Sequence, residues 1–236
     1  MKDILHILFL FLFINILIFL NIYSFKNSDF IVPILNINTD TSDNYDLIIK
    51  VLNDSNMNDL IPFIDYISIK KIDKLNINKT IYILSLPENK SIVSIYSDSN
   101  KYLASINDLD FIKDLYFHDD FLIIEQNFYD NSSSKDFIEV YNYNNFTYEL
   151  VFSKNIYSEL ISNDPSGISK TIINCSIDFV DSKIPTIICI SSITFHKGFF
   201  SNLKNDYEFI ESKHSIKKEI YEWNTNLNSF TLNKST

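Results

Sequence analysis

"EIYEWNTNLNSFTL" (219–232) restates "EVYNYNNFTYEL" (139–150). Each holds Glu, a branched aliphatic residue, Tyr, one spacer, an aromatic residue and Asn, and a Phe-Thr step follows. Such an echo comes either from a structural repeat or from a short alphabet used twice. The alphabet is short: the 236 residues include no Arg, one Ala (Ala104) and two Gly (Gly167 and Gly198). Asn and Asp are therefore expected at turns where Gly normally sits, because they tolerate positive φ next best.

Outward from the echo, runs rich in Ile, Tyr, Phe and Val alternate with Asn/Asp/Ser clusters, the pattern of antiparallel strands. "YISIKKI", "TIYILSL", "SIVSIYS" and "KYLASI" form one set between residues 66 and 106. "FIKDLYF", "FLIIEQNF", "DFIEVYNY" and "FTYELVF" form a second, and "IINCSIDF", "PTIICISSITF", "IKKEIYEW" and "SFTLN" a third. The third run of each set carries a branched residue before Tyr: Ile95-Tyr96, Val140-Tyr141 and Ile220-Tyr221. Tyr96 and Tyr141 are 45 residues apart, Tyr141 and Tyr221 80 apart. "SNDPSGIS" (162–169) and "KGFFSNLKNDYEFIESK" (197–213) read as polar insertions that absorb the excess. A partial copy, "IVPILNINTDTSDNYDLIIKVLND" (31–54), stands upstream.

Phase and strand order both recur, so the expected fold is all-β and built of antiparallel four-stranded meanders. A period of about 40–50 residues with four strands is that of a propeller blade, which suggests a propeller-like domain of three to four blades. Blades packed face to face bury both faces of their inner strands, as the unalternating runs "DLIIKV" and "FLIIE" require. The rival is a β-sandwich, which buries one face per sheet and predicts cleaner alternation. An outer-membrane barrel needs strands of about ten residues with a lipid-facing dyad. These runs are shorter, and "KNDYEFIESKHSIKKE" and "NSSSKD" are too polar for lipid.

Residues 1–28 form a separate element, a signal peptide or hydrophobic membrane-anchor helix, ahead of a single domain at 29–236. Residues 4–20 are almost uninterrupted apolar, broken only by His6 and Asn15. Cleavage before Phe25 and retention as a membrane anchor both stand, since the run lies between the usual lengths for the two. Lys2 precedes it and Asp40, Asp43 and Asp46 follow, which keeps the N-terminus in the cytoplasm and places the domain outside it. The product is then secreted, periplasmic or membrane-anchored. A net charge of −10 without Arg excludes a phosphate-binding surface, so nucleic acid is not a partner.

Cys175 and Cys189 flank a short stretch containing "VDSKIP". On paired strands they lie near each other, either as a cross-strand disulfide or as two buried thiols. Asn38, Asp40, Asp43 and Asp46 place oxygens at near-alternate positions, a pattern that suits calcium or a solvated acidic turn. "HDD" (118–120) lacks zinc-ligand spacing and reads as a turn. Tyr141, Tyr143, Tyr221 and Trp223 either stack on a sugar or protein partner or pack between blades. No nucleophile elbow or phosphate loop occurs.

"NINTDTSDNYDLII", "IDKLNINKTIYIL", "LYFHDDFLII" and "IDFVDSKIPTIICI" resemble integrin-alpha-type FG-GAP/VCBS repeats, in which an acidic turn precedes an aliphatic strand. The glycines of that pattern are missing from all four. The resemblance implies an extracellular binding scaffold, with calcium as a ligand of the turns. The resulting expectation is a non-enzymatic binding or envelope protein with a protein or glycan partner. The alternative is an exported hydrolase whose acidic residues are dispersed over loops.

Overall fold

The computed structural model describes residues 44–72, 79–129, 133–164, 167–180, 182–202 and 204–236, all within the unit Ile37–Thr236. The apolar segment 4–20 lies outside them, and no described helix is long and apolar enough to cross a membrane.

All twelve runs form strands, as their β-branched and aromatic content favours. The first set gives β1 (Ser68–Ile72), β2 (Lys79–Ser85), β3 (Ser91–Ser97) and β4 (Tyr102–Leu109). The second gives β5 (Phe111–His118), β6 (Phe121–Tyr129), β7 (Ser133–Asn144) and β8 (Thr147–Asp164). The third gives β9 (Gly167–Val180), β10 (Thr186–Ser201), β11 (Asp206–Asn224) and β12 (Ser229–Ser235). Asn and Asp supply the turns. Of the ten described non-glycine residues with positive φ, eight are Asn or Asp, Glu88 and Phe146 being the others. Asn145 and Phe146 both have positive φ between β7 and β8, the twist that a two-residue hairpin turn needs.

Every ladder joins consecutive strands, and all are antiparallel. β1–β4 make a four-stranded sheet, the separate meander expected of the first set. The second and third sets are not separate, because Tyr157–Asp164 of β8 pairs with Gly167–Asn174 of β9 and joins them into one eight-stranded sheet. Neither sheet closes on itself among the described residues.

The eight-stranded sheet folds over, so that β9–β12 cover one face of β5–β8. Phe121 of β6 meets Trp223 of β11 and Phe230 of β12, with ring centroids 5.1 and 5.3 Å away. That apolar layer also holds Ile123, Val140, Phe152 and Ile187. On the other face of β5–β8, Leu122, Ile124, Tyr141 and Tyr148 pack against Ile81, Ile83, Val93, Ile95 and the one Ala, Ala104. β6 is thus the middle of a stack, and Phe121 to Ile124 are all buried. The missing alternation in "FLIIE" follows from this two-sided burial.

Two sequence expectations need correction. "DLIIKV" lies in a helix, α1 (Tyr45–Asp54), and not in a strand. An apolar run this short fits either period, and the surface it meets decides. Ile48, Val51 and Leu52, spaced three and four apart, settle on Tyr82, Leu84, Ile92 and Tyr96 of the first sheet. Lys50 and Asp54, 2.8 Å apart, flank that apolar stripe, with the Lys50 ammonium 4.2 Å from the centre of the Tyr96 ring. The Tyr96 hydroxyl donates to Asp54 at 2.7 Å and Ser55 hydrogen-bonds Ser94 at 2.7 Å, which pins α1 to β3. The upstream segment therefore caps the stack with a helical layer. The second correction concerns the polar insertions. "SNDPSGIS" contains the end of β8 and the start of β9, and "KGFFSNLKNDYEFIESK" the outer parts of β10 and β11. β7 to β11 consequently run 12 to 19 residues, longer than their apolar runs indicate.

One irregularity occurs three times. The register slips between Ile95 and Tyr96 against β4, between Val140 and Tyr141 against β8, and between Ile220 and Tyr221 against β12. Each time the fourth strand carries one extra residue: Leu103, Val151 or Asn233. The tyrosines also share a direction. Tyr96 faces the α1 layer, Tyr141 the first set and Tyr221 the second, while Ile95 and Val140 face the set that follows.

Candidate functional site, a buried ion pair and thiol pair beneath a sheet arm

The inner face of the third set is apolar except at one place. Along "KEIYEW" the alternation puts Glu219 on the same face as Tyr221 and Trp223, directed into the core. Lys154, two residues after Phe152 on β8, comes to it from the opposing half of the sheet. Its Nζ donates to Glu219 Oε2 and lies 3.4 Å from the Tyr221 hydroxyl. Lys217 Nζ reaches Glu219 Oε1 at 2.7 Å. The Glu219 side chain is only 6% exposed and that of Lys154 21%, whereas Lys217 is nearly half in solvent. Burial opposes both buried charges. The hydrogen bonds from Lys154 and Lys217 nevertheless hold the Glu219 carboxyl below its ordinary range. Pairing with Glu219 and Tyr221 likewise holds the Lys154 ammonium above its own.

The two cysteines stand beside this pair. Cys189 lies opposite Ile177, and Cys175 opposite Ser191, so the thiols share a face of β9 and β10 but are offset by one residue pair. Diagonal neighbours on paired strands have Cα atoms about 7–8 Å apart, at the limit for a disulfide without backbone movement. Both are free thiols, Cys189 buried and Cys175 half-buried. A hydrogen bond from Cys189, with further help from Ser191 and Lys154, lowers Cys175 below the ordinary thiol range. The same bond and burial raise Cys189. Chemically the group is a half-buried thiol, within reach of the Ser176 carbonyl, beside a fully buried one.

The other sequence candidates fall in different places. Asn38, Asp40 and Asp43 lie outside the described residues, and Asp46 is in the first turn of α1. Among the described residues no group of three or more His, Cys, Asp or Glu side chains is arranged to hold a metal ion. Asp119 and Asp120 form the turn between β5 and β6, and the ring of His118 lies 5.2 Å from that of Phe179. All four candidate aromatics face inward. Tyr141 donates to Glu139, which also accepts from the buried Gln126 at 2.7 Å. Tyr143, with Phe117 and Tyr148, surrounds the Lys79 ammonium at 5.2 to 5.9 Å from the ring centroids. Tyr221 packs on Phe152, and Trp223 packs edge-on against Phe121 and Phe230.

Beyond the ion pair the outer parts of β8, β9, β10 and β11 continue as a sheet arm. Residues 157–164, 167–174, 193–201 and 206–215 contribute nothing to the three apolar clusters. Leu160 and Ile161 are adjacent and point to opposite faces, as do Phe199 and Phe200, and all four are about half exposed. Tyr207 and Ile210 are exposed as well. Gly198 lies within the arm where side chains from both neighbouring strands close over the backbone. A Cβ there would meet Ile168 Cγ2 at 2.4 Å and Phe209 Cε1 at 3.0 Å. Lys170 bridges the same surface, 2.6 Å from Glu159 and over the Phe209 ring.

Sequence reading missed Lys154, Lys217 and Glu219. Its one available signal was a carboxylate on the apolar side of "KEIYEW"; the partner 65 residues away had none. Comparison with protein-family models, with curated proteins and with solved structures yields no match.

Proposed function

We propose that the chain is an exported or membrane-tethered, non-enzymatic binding protein that meets its partner with the β8–β11 arm. The observation that carries this reading is apolar exposure on both faces of one sheet. Leu160, Ile161, Phe199, Phe200, Tyr207 and Ile210 stand in solvent although the strands are long enough to have been covered. On one face Phe200 and Tyr207 stack edge-on, ring centroids 5.5 Å apart, and on the other Phe199 lies diagonal to Ile210, so the exposed apolar groups stand beside one another as at a contact site. Aromatic side chains with rigid rings suit a protein partner, contributing large contact area at small entropic cost. The apolar segment 4–20 supplies the route out of the cytoplasm.

The scaffold is a stack of three related units, each blade-like, that stays open. The thrice-placed extra residue beside a branched aliphatic–Tyr step supports this, as does the constant direction of the tyrosines. The α1 layer covers the face of the first unit on which a ring would close. A photo-crosslinking residue at Phe199 of the full-length protein in its native host tests the reading. A discrete protein adduct outside the cytoplasm is expected, with none from the same probe at the exposed Lys101. A soluble cytosolic product, or no adduct from position 199, overturns it.

A further inference from the structure

The outer side of β11 is an unpaired strand edge. β12 pairs with Glu219–Asn224, Thr236 pairs with Lys218, and among the described residues no strand pairs with 206–217 on that side. An edge this long presents a row of free N–H and C=O groups to another strand. We propose that it pairs antiparallel with the same edge of a second copy, joining two eight-stranded sheets into one.

The charge order along the edge names this occupant. "DYEFIESKHSIKK" (206–218) has Asp206, Glu208 and Glu211 in its first half and Lys213, His214, Lys217 and Lys218 in its second. Laid antiparallel on itself, the acidic half of each copy meets the basic half of the other. Parallel pairing would set like charges opposite each other, which destabilises a sheet.

Symmetry then restricts the register. A two-fold axis relating antiparallel strands stands perpendicular to the sheet, so each side chain keeps its face and opposes one on the same face. Phe195 pairs with Lys213 and His196 with Glu211, so Ser212 is an extra residue that shifts the alternation by one. Same-face opposition leaves registers two residues apart, and the one that sets Glu208 against Lys217 of the other copy also places Glu211 against His214 and Phe209 against Ile216. Phe209 and Ile216 share a face because they pair with Gly198 and Ser192 of β10. Ile216 is 69% exposed in the single chain, and the register gives it an apolar partner. This inference uses the edge of the arm and goes beyond the proposal made for its faces.

Sedimentation equilibrium of the full-length protein in density-matched detergent tests it. A concentration-dependent monomer–dimer equilibrium is expected. His214→Glu sets two carboxylates opposite each other twice per dimer and should weaken association about tenfold or more. An equimolar mixture of His214→Glu with Glu211→Lys sets the introduced lysine against the introduced carboxylate and should form a heterodimer, and the double variant, with that pair twice, should dimerise again. Both positions are exposed, so unchanged melting temperatures are expected. A wild-type mass that stays monomeric up to about 100 μM, far above the Kd range of specific complexes, overturns the proposal. So does a dimer that His214→Glu leaves intact.

Discussion

Replacing Glu219 by Gln removes the charge of a carboxylate that is almost entirely out of solvent and leaves Lys154 held in an apolar layer. Two unit charges about 4 Å apart attract by about 4 kcal/mol at an effective dielectric constant near 20. The second partner, Lys217, is half in water, and its pairing contributes at most about 1 kcal/mol. Lys154 keeps about a fifth of its side chain exposed, so the loss belongs at the lower end of the range for a broken buried pair, about 3 kcal/mol. In a domain of this size that is a fall in Tm of roughly 6–12 °C. Replacing both partners with apolar residues, Lys154→Met with Glu219→Leu, removes the stranded charge and should return stability to within about 1 kcal/mol of the parent. Urea melts of the parent, Glu219→Gln, Lys154→Met and the double variant give all four numbers. Acid adds an independent test. Glu219 titrates below its ordinary range in the folded protein, so its contribution is present above the unfolded value and is lost as pH falls through the folded one. The parent should lose stability more steeply than Glu219→Gln across that interval. Single variants within about 0.5 kcal/mol of the parent, the ordinary range for surface changes, would refute the reasoning, as would a double variant weaker than either single.

Gly198→Ala should cost about 1–3 kcal/mol, because the new methyl group overlaps Ile168 and crowds Phe209. Trimming Ile168 to Ala in the same chain should restore most of it, and thermal melts would show whether it does. Limited alkylation followed by peptide mass spectrometry should label Cys175 before Cys189, and at lower pH than an ordinary thiol. Cys189→Ala should move the Cys175 reaction to higher pH; equal labelling of both sulfurs would count against the shared hydrogen bond. Gln126→Leu should destabilise by about 1–3 kcal/mol, since the Asp110 N–H loses its partner and Glu139 Oε2 keeps only the Tyr141 hydroxyl. An unchanged urea midpoint would show that water replaces the amide.

The strands were legible because their signal is local. An alternation of branched or aromatic residues with Asn-rich turns fixes both strand and hairpin, so all twelve runs reappear in order. Tyr45–Asp54 was misread because a short apolar run satisfies two periods, and only the tyrosine-lined face of β2 and β3 selects the helix. The arm was misread for the opposite reason. Its segments mix polar with apolar residues because no layer covers them, and the hydrogen-bonded ladder from β8 to β11 carries them on as strands. Of the candidate site, Cys175 and Cys189 could be placed together from the hairpin alone, but their one-pair offset depends on register, which composition does not encode. The Lys154–Glu219 contact depends on the sheet folding over, a global event that leaves no mark on either neighbourhood.

Because each strand pairs only with the strands next to it in sequence, the molecule has an order of assembly written into its topology. A chain emerging from the ribosome can lay down each ladder as soon as the following strand appears, without waiting for a distant segment. Layer closure follows a slower schedule. When β8 is complete, the face of β6 and β7 bearing Phe121, Ile123, Ile138 and Val140 is finished but bare, and it stays so until β10 to β12 have been made. For that interval the nascent protein is half sealed and half adhesive. Chains truncated between residues 164 and 186 should be the most aggregation-prone of a length series, and a holdase acting on this chain would find its binding surface there.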